Sequence, residues 1–155
     1  FDRGSVVTPA RAHIGHAPYL LAILWAFTHN TPWLPQVRSR LTDIQMMARV
    51  ICRGWVQVVH DRHGPAGFMA RDGARIHALY VHPRARGQGL GRALLDDAKA
   101  RVPRLDLWVL QANEPARDFY ARHGFAEAIR TNGAGNDENL PDIRMVWHAP
   151  YGGPQ

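Results

Sequence analysis

One stretch decides how this chain folds: residues Ile76–Leu95, which read IHALYVHPRARGQGLGRALL. Its first part, Ile76–Val81, contains aromatic and β-branched residues that favour a strand, and the strand should end by Pro83, because proline cannot donate to a sheet ladder. Three glycines at alternate positions follow, and they permit positive φ and a close approach of a ligand to the backbone. A helix is predicted next, because apolar residues recur at helical spacing at Leu90, Ala93, Leu94 and Ala98.

The glycine-rich turn predicts an anion site, because the N–H groups at the start of the next helix face the turn without partners. It is not a dinucleotide fingerprint, since G-x-G-x-x-G counted from Gly87 puts Arg92 where the third glycine belongs. It is not a nucleoside-triphosphate loop either, since no Gly-Lys pair follows. The pattern is R-x-x-G-x-G, formed by Arg86, Gly89 and Gly91. A glycine-rich turn without any ligand is the alternative interpretation.

A second motif, NEPARDFYARHGF, covers residues 113–125. Asn113 suits a helix N-cap, Pro115 suits the first turn, and Gly124 suits the C-terminal end. Asn113 and Tyr120 are seven residues apart and therefore share one face of the helix. The pattern is N-x-x-A-x-x-F-Y-x-x-x-G-F.

Together the two motifs resemble the GCN5-related N-acetyltransferase superfamily: the first its acetyl-coenzyme A pyrophosphate loop, the second its other coenzyme-binding segment. The resemblance implies one domain over residues 1–155 with an α/β (α+β) fold. Its mixed, mostly antiparallel central sheet would be flanked by helices and splayed at the central strands. It also implies transfer of an acetyl group from acetyl-CoA to a primary amine, by direct attack in a ternary complex.

The resemblance also implies where the cofactor binds. Its arm would run beside the Ile76–Val81 strand, whose backbone N–H groups would polarise the thioester carbonyl. Asn113 would bond the pantetheine arm, cap its helix, or do both. Arginines around the turn (Arg84, Arg86 and Arg92) are placed to meet phosphates. The implied cofactor-binding residues are Leu79, Tyr80, Val81, Arg86, Gly87, Gln88, Gly89, Gly91, Arg92, Asn113 and Phe119.

The implied chemistry needs a base for the amine and an acid for the departing thiolate. Tyr120 matches the superfamily tyrosine that commonly acts as the acid, although packing against the cofactor is an alternative role. His77 stands where the arylalkylamine acetyltransferases, a distant branch, place a catalytic histidine, and its pKa range suits a base. That branch has a second histidine two residues earlier, where this chain has Arg75. Asp137, Glu138 or water are the alternatives for the base.

Composition indicates a soluble globular protein, with 46% hydrophobic and 21% charged residues in 155. The net charge of +6 comes almost wholly from scattered arginines, which reflects composition better than a nucleic-acid surface. Cys52 is the only cysteine and has apolar neighbours, so we expect a buried thiol and no disulfide. His60, Asp61 and His63 match no strong metal-ligand pattern, so no metal is expected. The apolar run Tyr19–Phe27 is too short to cross a bilayer, and a cytoplasmic protein is predicted.

Two further helices are predicted, at Tyr19–Phe27 and from a cap at Thr42 or Asp43 through Val50. The long polar loop Thr131–Asp142 is either functional, beside a cleft, or disordered. Trp33, Met46 and Met47 either line an acceptor pocket or pack as core. Strands are predicted at Val6–Val7, Trp55–Val59, Gly67–Arg71, Ile76–Val81, Leu105–Leu110, Phe125–Arg130 and Ile143–Trp147, with a frayed tail at Tyr151–Gln155.

Two other functions compete with the enzyme. One is a non-catalytic acyl-CoA-binding module on the same fold, and the other is a basic nucleic-acid binder. The preferred partner is a small-molecule or peptide amine, with no nucleic acid and no membrane. The identity of the amine and the oligomeric state, for which a homodimer is one option, are left open by the sequence.

Overall fold

The computed structural model describes residues 8–35, 39–136 and 138–150. Within these ranges the strands form one mixed sheet flanked by helices, as the sequence predicted. The elements are β1 (Ala10–Arg11), α1 (Ala17–His29), α2 (Arg40–Cys52), β2 (Val56–Asp61), β3 (Gly64–Asp72), β4 (Arg75–Val81), α3 (Leu90–Arg101), β5 (Arg104–Leu110), α4 (Glu114–Arg122), β6 (Ala126–Thr131) and β7 (Asp142–His148).

The strand order in the sheet is β1-β2-β3-β4-β5-β7-β6. Every neighbouring pair is antiparallel except β4 and β5, which are parallel. The parallel pair needs a crossover connection, and α3 supplies it. The glycine-rich turn therefore lies at the carboxyl end of β4, directly before the crossover helix.

Two apolar layers cover the two faces of the sheet. On one face α3 and α4 pack onto the strands, with Leu94 and Leu95 fully buried. On the other face α1 and α2 cover β2, β3 and part of β4, through residues such as Leu20 and Ile51. Burying each such side chain contributes about 1.5–3 kcal/mol, so these layers are what hold the helices to the sheet.

The start of α2 differs from the prediction. Thr42 and Asp43 were the predicted caps, but the helix begins at Arg40 and Ser39 is the N-cap. The Ser39 hydroxyl accepts a hydrogen bond from the Thr42 N–H at 3.2 Å, which satisfies a donor that the first turn leaves open. Thr42 is therefore the residue that is capped, one turn inside the helix.

The predicted burial of Cys52 is wrong, because its side chain is exposed at the end of α2. Met47 and Ile51 face the sheet. One residue further along a helix turns the side chain by about 100°, which carries Cys52 away from the core.

Strands β2 to β7 agree with the predicted positions to within three residues at their ends, whereas β1 (Ala10–Arg11) was not predicted. The largest difference is the start of β3, at Gly64 instead of Gly67, because a register shift between Val59 and His60 accommodates Pro65 in the strand. The predicted strand Val6–Val7 and the tail Tyr151–Gln155 lie outside the described residues. In the ranges described, no helix is long and apolar enough to span a membrane.

Candidate active site

A cleft opens between β4 and β5. The two strands are paired at only two register positions, Arg75 with Asp106 and Ile76 with Leu107, and they separate beyond Ile76. The remaining parts of both strands line a cavity of about 780 Å³. This is the splay of the central strands that the family resemblance implied.

A bulge at His77 starts the separation. Opposite β3, Ile76 pairs with Arg71 and Ala78 pairs with Ala70, so His77 is an extra residue on β4. Ile76 packs into the α3 layer, whereas Ala78 packs into the α1 and α2 layer. Beyond Ile76, β4 and β5 share no further register pair among the described residues, so the β5-facing edge of β4 borders the cleft, where a ligand can meet its backbone.

The glycine-rich turn forms the entrance to α3. Gly87 and Gly89 have φ of +81° and +78°, a region that glycine adopts without a steric penalty. Gly89 is the N-cap of α3 and supplies no side chain, and the first bond of the helix runs from the Ala93 N–H to the Gly89 carbonyl. The amides of residues 90–92 therefore have no intrahelical acceptor and suit an anion such as pyrophosphate.

Gly91 serves a different purpose. A Cβ at this position would come within 3.1 Å of Phe119 Cζ, so the absence of a side chain lets α4 approach α3 closely. Phe119 thereby joins the second motif to the first. Its contact with the cofactor stays a prediction, as do those of Arg86 and Gln88, both exposed on the turn.

Arg84 and Arg92, on either side of the turn, have different surroundings. Arg84 pairs with Asp61, with Nη2 and Oδ1 3.3 Å apart, and its hydrogen bond lowers the pKa of that carboxyl. Arg92 pairs with Asp96 at 3.6 Å, and both side chains are largely exposed. Arg84 thus helps to fix the turn, whereas the guanidinium of Arg92 lies at the surface. Asp61 is therefore paired with an arginine. Among the described residues no group of three histidine, cysteine or acidic side chains is placed to hold a metal.

Tyr120 lies in the wall of the cleft, on α4, and only 8% of it is exposed. Burial, and secondly the nearby Tyr80, raise the pKa of Tyr120 above its ordinary value. The hydroxyl is therefore protonated at neutral pH, the state that a proton donor needs. Asn113 also lines the cleft while its Oδ1 accepts a hydrogen bond from the Ala116 N–H at 3.3 Å, so its capping role is observed.

The two described candidates for the base, His77 and Glu138, also line the cleft. The His77 ring stacks on Trp55, with 5.4 Å between ring centroids and 13° between planes, which fixes its orientation. Glu138 belongs to the loop between β6 and β7. Asp137 lies outside the described residues.

The described part of that loop, residues 131–136 and 138–142, is held by a network of side chains. The buried Asp142 carboxylate accepts hydrogen bonds from the Thr131 hydroxyl and from Asn136 Nδ2, the latter at 3.1 Å. Asn136 Nδ2 also donates to the Leu140 carbonyl at 2.7 Å, and Gln111 Nε2 donates to the Thr131 carbonyl at 3.2 Å. This network was not predicted from the sequence, where the signal was a set of amide and hydroxyl residues preceding Asp142.

Aromatic and apolar side chains line the cleft on the side of α1 and α2. Trp33 and Met46 line the cavity, whereas Met47 is core and only 6% exposed. A second cavity of about 420 Å³ adjoins the first, and Tyr80 and Glu138 line both.

The sequence that forms this fold and cleft matches a known protein family. A sequence model of the acetyltransferase (GNAT) domain matches residues 49–127, half of the chain, and the chain belongs to that family. The matched segment runs from α2 through the first residues of β6 and contains both glycine-containing motifs.

Individual relatives are similar over part of the chain. The chain is 41% identical over 90 residues to peptidyl-lysine N-acetyltransferase YjaB of Escherichia coli K12, a match covering 58% of this chain and 60% of that one. It is 40% identical over 83 residues to peptidyl-lysine N-acetyltransferase YiaC of the same organism, covering 52% and 55%. These matches span less than two thirds of each relative.

Solved structures share the fold over nearly the whole chain. The solution structure of apo YjaB from E. coli superposes with a TM-score of 0.76 at 24% identity, covering 94% of this chain and 100% of that one. The structure of yncA from Salmonella typhimurium with its cofactor acetyl-CoA gives a TM-score of 0.69 at 18% identity, covering 97% and 99%.

Proposed function

We propose that this protein is an acetyl-CoA-dependent N-acetyltransferase, acting on a primary amine by direct attack in a ternary complex. One observation carries the proposal: the cleft between β4 and β5 has Tyr120 in its wall, and the glycine-rich turn follows β4. Membership of the GNAT family and the names of the relatives support it.

The residues present fit acetyl-CoA. The cofactor supplies an activated acetyl group as a thioester. The amides of residues 87–92 would hold its pyrophosphate, with Arg86 and Arg92 adding positive charge. The β5-facing edge of Leu79–Val81 would hold the arm and polarise the thioester carbonyl, and Asn113 would bond the arm from α4.

Tyr120 is the proposed acid. Its hydroxyl, which lies in the wall of the cleft and carries its proton at neutral pH, would donate that proton to the departing CoA thiolate. His77 is the proposed base, because it lines the cleft at the bulge and its ring is oriented by Trp55. Glu138, Asp137 and water remain the alternatives for this role.

The proposed acceptor is a lysine side chain in a peptide. The relatives YjaB and YiaC carry peptidyl-lysine in their names. In this chain Trp33, Met46 and Tyr80 give the cleft apolar walls for an alkyl stem, and Glu138 brings a carboxylate that attracts an ammonium group. A single domain over residues 1–155, a cytoplasmic location and a homodimer stay predictions.

Thiol release from acetyl-CoA tests the function. The full chain is given a panel of small amines and lysine-containing peptides, and free CoA is followed; peptides with the lysine already acetylated are the controls. CoA release only with a free amine would support the enzyme. Calorimetric binding of CoA with no release from any amine would favour the non-catalytic binding module.

The acid is tested separately with Tyr120→Phe, which keeps the ring and its packing. We expect kcat to fall by roughly 10²–10⁴-fold while the affinity for acetyl-CoA changes little. A wild-type kcat, measured where chemistry limits turnover, would leave Tyr120 with a packing role alone.

A further inference from the structure

A buried carboxylate, bonded by two partly exposed arginines, connects three strands at the base of the cleft. Asp106, on β5, is 3% exposed. Arg75, on β4, donates to it from Nε and Nη2 at 2.8 and 3.0 Å, so the contact is bidentate. Arg144, on β7, donates to the same carboxylate at 2.9 and 2.6 Å. One carboxylate is thus shared by its two neighbouring strands.

The pair lies where the cleft begins. Arg75 and Asp106 are register partners at one of the two positions where β4 and β5 are paired. Close by, the Asp106 N–H donates to the Ala74 carbonyl at 2.8 Å. Such a short parallel ladder resists rotation weakly, so the bidentate contact carries much of the connection between these two strands.

Stability alone gives little reason for a buried charge here. Removing a carboxylate from water costs several kcal/mol, and apolar residues of the same volume often stabilise as well as an ion pair. The pair adds a defined geometry. A planar guanidinium that binds a carboxylate through two parallel hydrogen bonds fixes the relative orientation of the strands that carry the two groups.

We propose that the Arg75–Asp106 pair is a positioning device that fixes how far β4 and β5 open. It would thereby set the distance between the β5-facing edge of residues 77–81 and the α4 wall that holds Asn113 and Tyr120. Neither Arg75 nor Asp106 lines the cleft, so both act through the strands. Its effect on the cofactor rests on the proposed function.

Arg144 provides the matched control. It bonds the same carboxylate, but it joins β5 to β7, which are paired from Arg104 through Leu110. Arg75→Gln and Arg144→Gln each leave Asp106 with one guanidinium. Only Arg75→Gln removes the side-chain contact between β4 and β5, the two strands that separate at the cleft.

Two measurements on the full chain test the proposal. In the free protein, hydrogen exchange at the Asp106 amide should be faster in Arg75→Gln than in Arg144→Gln, because that amide bonds across β4 and β5. In calorimetry with CoA, Arg75→Gln should raise Kd roughly tenfold, which corresponds to the loss of about one hydrogen bond. The Kd of Arg144→Gln should stay within about twofold of the wild-type value. Both variants should lower Tm.

Arg75→Lys should be intermediate in both measurements, because an ammonium keeps the charge and loses the fork. Equal changes in the two glutamine variants would overturn the proposal, since they would mean a general loss of stability. Unchanged exchange and Kd in Arg75→Gln would overturn it too. If wild-type protein bound no CoA, the proposed function would fail, and the exchange comparison would still decide whether the pair sets the opening.

Discussion

Two loops of this protein hold their shape in opposite ways. The glycine-rich turn at residues 86–89 is exposed, and its conformation depends on positive φ at Gly87 and Gly89. The described part of the loop at residues 131–136 and 138–142 is held by side chains, with the buried Asp142 bonded to Thr131 and Asn136.

The difference follows from what each loop offers a ligand. A loop that binds through its backbone must leave amides unpaired, so without a ligand it has few contacts of its own. A loop that places side chains over a cleft, such as Glu138, must satisfy its own polar groups first. Breaking each kind of loop should therefore affect different steps of the proposed reaction.

The largest effect is expected from Gly89→Val in the turn. A valine at φ of +78° is strained and would displace the amides that we assign to pyrophosphate. Losing two charge-assisted hydrogen bonds should weaken CoA binding by roughly 10²-fold or more, measured by calorimetry.

Gly73→Val is the matched control for this variant. Gly73 also has positive φ, +59°, and open space around it, but it lies in the β3–β4 hairpin turn. It should lower Tm as Gly89→Val does and leave the affinity for CoA unchanged. An undiminished affinity in Gly89→Val would remove the turn from the cofactor site.

The second loop is tested by Gly133→Ala. A Cβ here would collide with the Leu140 backbone, at a φ of +84°. The loop must then rearrange, so we expect the KM for the amine to rise roughly tenfold while CoA affinity is kept. Gly135→Ala, in the same loop with open space around it, should behave as wild type. If CoA affinity fell and the amine KM did not, the loop would belong to the cofactor side.

A further prediction concerns how the stability of the sheet depends on pH. The bonds from Arg75, and then from Arg144, lower the pKa of Asp106 from 3.8 to about 2. Because the folded pKa lies below the unfolded one, this stabilisation is present above about pH 4 and is lost as the pH falls towards 2. It amounts to about 2 kcal/mol. Urea unfolding at pH 5 and pH 2.5 measures it, and Arg75→Gln should show a smaller loss between these pH values.

The smallest effect is expected from Thr131→Val, which keeps the side-chain shape. It removes the hydroxyl that bonds Asp142 and that accepts from the Gly133 N–H at 3.1 Å. The free energy of unfolding should fall by about 1–2 kcal/mol, with CoA affinity unchanged. Thr28→Val, at an exposed hydroxyl on α1, should cost less than about 0.5 kcal/mol. Equal losses in the two variants would mean that the network adds nothing to the loop.

The sequence by itself determined the parts of the site that depend on local pattern. Glycine spacing predicted the turn, helical spacing predicted α3, and the Asn113–Gly124 signals predicted α4 with its observed cap. These predictions agree with the structure because φ preferences and capping act within one turn of the chain. Ser39 was overlooked as a cap because Thr42 and Asp43 offered equivalent chemistry a few residues later.

Only the tertiary structure decided which distant residues meet. Arg75 and Arg144 lie 31 and 38 residues from Asp106, and Thr131 lies 11 residues from Asp142. No local preference specifies such partners, because they are chosen by the order and register of the strands. The same holds for Cys52, whose apolar sequence neighbours do not reveal which side of α2 faces the sheet. The sequence thus determines the glycine-rich turn and its helix, whereas the packing of the sheet decides how β4 and β5 separate and what covers the cleft.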